Sequence, residues 1–306
     1  MIAARACTTL VVMAFAFPVV AETAMPVPDF AGTWGRNTFN LEAPASGRGP
    51  IRNLRRLGSE GSQLISGFGG GGDPIPLVGD YKDPLLKPQA AQVVKRMGEM
   101  STRGHDIPDP SDQCAAYSPP FVLGMEQRVT VLQTKTGVTL YYAQDVQVRH
   151  IRLNASHPAN LKPSPMGDSV GHYEGDTLVV DTVGIEVGPY TVVDRFGTPQ
   201  SKAMHVVERY RLISDQDARA AQQRHEQVAG RTGGKQGNTS FVPGYPKGLQ
   251  VHVTIDDPNT YTRPWSGDVT YRFTRAAFDE RVCADNASLG RNLGIEHPPT
   301  AGKPDF

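Results

Sequence analysis

This chain predicts an all-β fold, an antiparallel barrel-like domain with two peripheral helices and long Gly/Pro-rich loops. Short segments whose apolar residues alternate with period two recur along it, the pattern of half-buried strands. Most of the 32 glycines and 25 prolines fall between these segments, where turns and long connections need them. The 306 residues show no internal repeat and no break that would mark a second folded domain, a length one elaborated β-rich domain can fill.

Residues 1–21 stand apart. Arg5, the apolar run Thr9 to Val20 and the small-residue ending Val19-Val20-Ala21 read as a secretory signal peptide, too short and wrongly flanked for a lasting membrane span. Residues 22–306 then form a single β-rich domain with a periplasmic or extracellular destination. No second apolar run of about twenty residues follows, so no integral membrane segment is expected after cleavage. A formal net charge of +0 removes the general electrostatic case for nucleic acid or anionic membranes and points to a small-molecule ligand or substrate, or to another protein. Cleavage leaves Cys114 and Cys283, an even count in an oxidising compartment, which favours one disulfide between them. Closing so long a loop contributes about 4–5 kcal/mol by chain entropy.

The strands are expected in order at Asp29–Trp34, Gln127–Gln133, Thr139–Ala143, Val146–Leu153, Ser169–Glu174, Leu178–Thr182, Met204–Leu212, Leu249–Ile255 and Val269–Thr274. Lys135-Thr136-Gly137 and Glu174-Gly175-Asp176 supply turns that join neighbours as antiparallel hairpins. Pro88 to Met100 places Ala91, Val94 and Met97 at helical spacing behind a proline suited to a first turn. Ser214 is placed as the N-cap of a second helix reaching about Val228. Between Ala43 and Pro76 the Gly-, Pro- and Arg-rich chain forms either a surface loop or an ordered lid.

Ionisable residues concentrate around Gly167-Asp168-Ser169-Val170-Gly171-His172-Tyr173-Glu174-Gly175-Asp176. His157, in the loop just before this hairpin, is either an acid or base at a loop mouth or a histidine bonded to the backbone. Period two sets Val170, His172 and Glu174 on one face, with Ser169, Gly171 and Tyr173 on the other. A carboxylate beside His172 raises its basicity and fixes its tautomer, as proton transfer requires; the same pair also serves as an exposed ion pair. Asp168 completes the candidate catalytic set of His157, His172, Glu174 and Asp168. His205 and Arg209 share a face of a later strand, opposite Glu208 and Tyr210. An inward Arg209 offers a planar fork to a ligand carboxylate, or to Glu174 or Asp181. Together with Tyr173 and Trp265, these two are the candidate substrate-binding residues.

The sequence lacks HExxH, GxSxG, GxGxxG and P-loop motifs, so metal-independent acid–base chemistry without a cofactor is the enzymatic expectation. Asp256-Asp257 offers too few oxygens for calcium.

The run His157-Pro158, Lys162-Pro163-Ser164 and Gly167 to Thr182 resembles the central signature of a family of uncharacterised secreted bacterial proteins. Leu86-Lys87-Pro88-Gln89-Ala90-Ala91, His205-Val206-Val207-Glu208-Arg209-Tyr210, Asp257-Pro258 with Pro264-Trp265, and Cys283-Ala284-Asp285-Asn286 resemble its other conserved islands. That resemblance implies membership and carries no activity. Gly32-Thr33-Trp34 is similar to the opening of lipocalin-like barrels, which implies an antiparallel barrel holding an apolar ligand in its mouth or interior.

Three functions follow as expectations. The first is a secreted or periplasmic small-molecule enzyme, a lyase, isomerase or hydrolase, which requires the histidines and acids to face inward. The second is a non-catalytic lipocalin-like binding protein for an apolar or mixed-polarity ligand, and the third a surface-interaction protein. Around Arg48 to Arg56 the basic loop is a solvated charge run or an anion contact.

Overall fold

The structure is a computed structural model that describes residues 27–54, 76–105, 107–110, 115–125, 128–143, 147–188, 190–229 and 240–276. The signal peptide expected over 1–21, both cysteines of the expected disulfide and most of the 43–76 loop lie outside the described residues.

Nine strands close a barrel in sequence order. They are β1 (Gly32–Gly35), β2 (Arg128–Gln133), β3 (Gly137–Tyr142), β4 (Gln147–Leu153), β5 (Asp168–Glu174), β6 (Thr177–Val183), β7 (His205–Ser214), β8 (Lys247–Asp256) and β9 (Trp265–Thr274), with β9 returning to β1. Each expected strand segment falls on one of them, with shifted ends. The purely antiparallel expectation needs one correction. Each antiparallel neighbour reverses chain direction, so a ring with an odd number of strands cannot close on antiparallel pairs alone. Here the exception is β4 with β5, parallel at Ile151↔Ser169, Arg152↔Val170 and Leu153↔Gly171.

A parallel pair cannot be joined by a tight turn. Residues 154–167 therefore return along the outside of the barrel, and their far end adds a short parallel bridge from Ser164 to Ile185. Leu161 seats this crossover against Gly184, whose φ is +67° and whose Cα would carry a Cβ only 2.3 Å from Leu161 Cδ2. A side chain at this position would be strained by the backbone and would push Leu161 aside, so glycine is favoured there. The β5–β6 connection is the expected tight turn, with Gly175 at φ +60° between Glu174 and Thr177, which face each other.

The β1–β2, β3–β4, β6–β7 and β8–β9 connections meet at one end, here called upper. Phe39, Leu85, Val94, Phe121, Phe196 and Tyr261 belong to the continuous buried core. The described part of the arginine-rich loop lies there as an ordered strap: Ser266 N donates to Arg48 O (2.9 Å), Leu54 N donates to Val78 O (2.7 Å), and Arg48 pairs with Asp83. The lower end is closed by aromatics, with Trp34 edge-on to Phe273 (5.4 Å) and Tyr245 stacked on Phe273 (4.0 Å).

Helix α1 (Pro88–Thr102) starts on its proline and buries Ala90, Val94 and Gly98, one residue per turn. Helix α2 (Phe121–Met125), not expected from sequence, is a buried apolar turn whose Leu123 and Gly124 carbonyls accept from Arg36 Nη2 at 2.8 and 2.7 Å. Helix α3 (Asp215–Ala229) begins as expected, with Asp217 N donating to Ser214 Oγ at 3.0 Å. Its Gln222 Nε2 donates to Gly35 O (3.2 Å) and Thr270 O (3.0 Å), two backbone acceptors on neighbouring strands β1 and β9.

The lumen is filled. Tyr142, Leu140, Ile151, Val180, Val253 and Tyr271 are at most 1% exposed, which leaves no water-sized space against them. Among them sits a buried ion pair. Arg149 Nη2 donates to Glu208 Oε1 (2.7 Å) and Nη1 to Glu208 Oε2 (3.0 Å), while Nε reaches Ser169 Oγ (3.0 Å) and Nη2 Thr182 Oγ1 (2.6 Å). Tyr210 OH donates to Glu208 Oε2 at 2.5 Å. Burial opposes the arginine's charge, but Glu208 and the neighbouring tyrosines hold its pKa above the ordinary value. Burial and the adjacent carboxylate push the Tyr210 hydroxyl well up.

Candidate functional site: an acid–base chain on the outer wall

The Arg149 cluster settles which faces point outward. Side chains from β4, β5, β6 and β7 meet in it, so Arg149, Ser169, Thr182, Glu208 and Tyr210 define the lumen side. Strand periodicity then sends Asp168, Val170, His172 and Glu174 of β5, Asp181 of β6, and His205, Val207 and Arg209 of β7 to the outer wall. The face groupings expected from sequence hold, but the inward placement of the histidines and of Arg209 does not. Small and apolar residues occupy the inner positions, and Glu208 takes the interior place because Arg149 is there to pair with it.

On the outer wall His157 is not at a loop mouth but on the crossover, laid over β5 and β6. Its Nδ1 donates to Asp168 Oδ1 at 2.6 Å and its Nε2 to Asp181 Oδ1 at 3.0 Å. The other oxygen of Asp181 accepts from His205 Nε2 at 3.0 Å. The result is an unbroken chain, Asp168–His157–Asp181–His205, across the crossover and three strands. Arg152 Nη2 donates to both oxygens of Asp168, at 2.7 and 2.9 Å, and fixes the closed end.

The chain has polarity. With a carboxylate on each ring nitrogen, His157 is held as the imidazolium. Partial burial works against that charge, but the hydrogen bonds from Asp168 and Asp181 outweigh it and raise the pKa above the ordinary histidine value. His205 is the open end. Its side chain is 42% exposed, and its bond to Asp181 uses Nε2, which leaves Nδ1 as the ring nitrogen outside the chain.

The remaining predicted site residues lie elsewhere. His172 Nε2 donates to Glu174 Oε1 at 3.0 Å, and Arg209 also pairs with Glu174, so the fork offered to a carboxylate is taken by one on the neighbouring hairpin. The hydrogen bond from Arg209, then that from His172, hold the Glu174 carboxyl below its ordinary pKa. Exposed on both sides, this triad is a surface ion cluster of small energetic worth. Tyr173 points to the lower end, where its hydroxyl accepts from Gln133 Nε2 at 3.0 Å. Trp265 is 4% exposed and packs edge-on to Tyr261 at 5.6 Å, a core plug rather than a ligand surface. A further outer pair, His252 Nδ1 to Asp268 Oδ1 at 2.6 Å, was not singled out from sequence.

Asp181, the link between the two histidines, entered the sequence reading only as a possible arginine partner. Its signal lay in strand period: an outward carboxylate on β6, next to β5 and β7. Nothing in the sequence spacing reports that the crossover lays His157 upon it. Among the described residues no group of three or more His, Cys, Asp or Glu side chains is arranged to hold a metal ion, and no helix is long and apolar enough to cross a membrane. No protein-family model matches the chain, and no curated protein or solved structure matches it significantly.

Proposed function

We propose that this protein is a secreted or periplasmic enzyme acting on a small molecule by His/carboxylate acid–base chemistry, with its working end at His205. The histidines and acids face outward, not inward as this reading expected, so it rests instead on their juxtaposition in the four-member chain Asp168–His157–Asp181–His205 on the outer wall, closed at one end by Arg152 and open at the other. In it His205 accepts a proton at Nδ1, Asp181 orients the ring and stabilises the imidazolium that forms, and His157 with Asp168 holds Asp181 in place. His157, with both nitrogens committed, positions the chain rather than exchanging protons with substrate. A placed general base of this kind contributes about 10²–10⁴-fold to a rate. The compatible reactions are those limited by proton transfer: elimination, isomerisation or hydrolysis.

The test has a structural and a catalytic part. Nitrogen-15 spectra of the imidazole rings should show His205 protonated at Nε2 when neutral, and Asp181→Asn should alter the ring signals of both His157 and His205. Any turnover found in a screen of lyase, isomerase and hydrolase substrates should fall about 10²–10⁴-fold in His205→Gln. Rings that ignore the Asp181 substitution, or turnover that survives loss of His205, would overturn the assignment.

A further inference from the structure

The open end of the outer-wall chain has a neighbour that the chain does not use. Asp256, the last residue of β8, lies directly across the sheet from His205, the first residue of β7, in the antiparallel register His205↔Asp256. Ile255 before it is buried in the barrel, so strand period sends the Asp256 side chain to the same outer wall as His205. Side chains that face each other across antiparallel strands have Cβ atoms about 4.5–5.5 Å apart. The two positions are tied together from behind. Asp257, next in the chain, accepts from Ser201 N at 2.7 Å and from Ser201 Oγ at 2.6 Å, which fastens the end of β8 to the segment entering β7.

Charge sets Asp256 apart from the other acids of the barrel. Asp168, Glu174, Asp181, Glu208 and Asp268, the remaining carboxylates on the nine strands, each lie within ion-pair distance of an arginine or a histidine. The Asp256 carboxylate has no hydrogen bond and no ion pair among the described residues, and none joins it to His205. Within the chain itself the charges balance, since Arg152 and the His157 imidazolium offset Asp168 and Asp181. Lys202, three residues before His205, is exposed and pairs with neither Asp181 nor Asp256 among the described residues. Asp256 therefore adds one uncompensated negative charge beside His205, whose Nδ1 is the ring nitrogen outside the chain. A carboxylate that no protein cation neutralises, next to a proton acceptor, suits a substrate that brings its own positive charge.

We infer that Asp256 sets the substrate class of the proposed site: a small molecule carrying an ammonium group, which Asp256 holds while His205 Nδ1 faces the proton to be removed. This rests on the acid–base reading of His205, and the test separates the two. The His205 ring signals are followed by NMR while propylamine is titrated into the full-length protein, with propanol as the neutral isostere and propionate as the anion, and again in Asp256→Asn and Asp256→Glu. Because an exposed ion pair contributes up to about 1 kcal/mol, propylamine should shift the ring signals with an affinity about three- to fivefold tighter than propanol. Propionate should bind more weakly than either, and the amine preference should shrink as salt is raised. Asp256→Asn should abolish the preference, and Asp256→Glu, which keeps the charge, should retain it. Equal binding of amine and alcohol, a preference that survives Asp256→Asn, or an Asp256 carboxylate already bonded to the His205 Nδ1–H would each overturn the assignment of Asp256 and leave the acid–base chain standing. Rings of His157 and His205 that ignore Asp181→Asn would instead remove the acid–base reading, and this inference with it.

Discussion

Arg149 is a residue whose identity is explained only by what surrounds it. Read along β4 it looks like any alternating charge, and it alternates with His150 so that only one of the two can enter the barrel. The arginine enters because Glu208, Ser169 and Thr182 between them occupy its donors, and the histidine stays outside near Thr139, with Nδ1 3.1 Å from Oγ1. A buried pair of this kind adds little net stability but is costly to break from one side. Arg149→Ala is expected to lose about 3–5 kcal/mol in chemical denaturation, since it strands the Glu208 carboxylate. Replacing both partners, as Arg149→Met with Glu208→Leu, should recover most of that loss; a double variant as unstable as the single one would show that the pair does more than cancel its own charges. His225 obeys similar logic at neutral charge. It is buried on α3 with Nε2 donating to Phe39 O at 2.8 Å, and burial lowers its pKa to about 4. Because the folded value lies below the unfolded one, its contribution is present above pH 6.5 and is lost as pH falls toward 4, by roughly 3 kcal/mol in all. A His225→Gln variant should show a shallower loss of denaturation midpoint between pH 6.5 and pH 4.

The crossover is the element on which the candidate site depends. Strands β5, β6 and β7 alone would offer Asp168, Asp181 and His205 on one wall, with nothing to connect the first to the second. Residues 154–167 bring His157 between the two aspartates, and the Leu161–Gly184 contact and Ser164–Ile185 bridge keep the segment in place. As an imidazolium between two carboxylates, His157 also clasps the crossover to the sheet. Its folded pKa is raised, so this contribution is complete below the unfolded value near 6.5 and is lost as pH rises through the folded value. Hydrogen-exchange protection of residues 154–167 should therefore decline as pH rises above about 6.5 in the wild type and be low and nearly independent of pH in His157→Gln. Equal protection of both proteins across that range would remove the clasp from the account.

Across the whole molecule the two histidines act in opposite directions. His225 lowers stability toward acid and His157 toward base, so each narrows the pH range of greatest stability from its own side. Much of the architecture was legible along the chain. Period-two alternation marked several of the strands, Ser214 and Pro88 marked two helix starts, and Gly175 marked a hairpin, because these depend on residues adjacent in sequence. Helix α2 was missed because five buried apolar residues carry no periodicity; it stands on carbonyl bonds from Arg36, far away in sequence. The site was half legible. His157, Asp168 and His205 were singled out by residue type and clustering, and the face groupings on β5 and β7 were correct. Which face is inside was not, since alternation divides a strand into two sides without naming the core side when both carry polar groups. The sequence by itself determined the strand segments and which ionisable residues cluster on and beside them. Only the tertiary structure decided that an odd ring of strands needs a parallel pair, that its crossover carries His157 to Asp181, and that an arginine fills the lumen and turns the histidines outward. Those outcomes rest on ring closure and on pairing between distant charges, and neither is a property of any local stretch of chain.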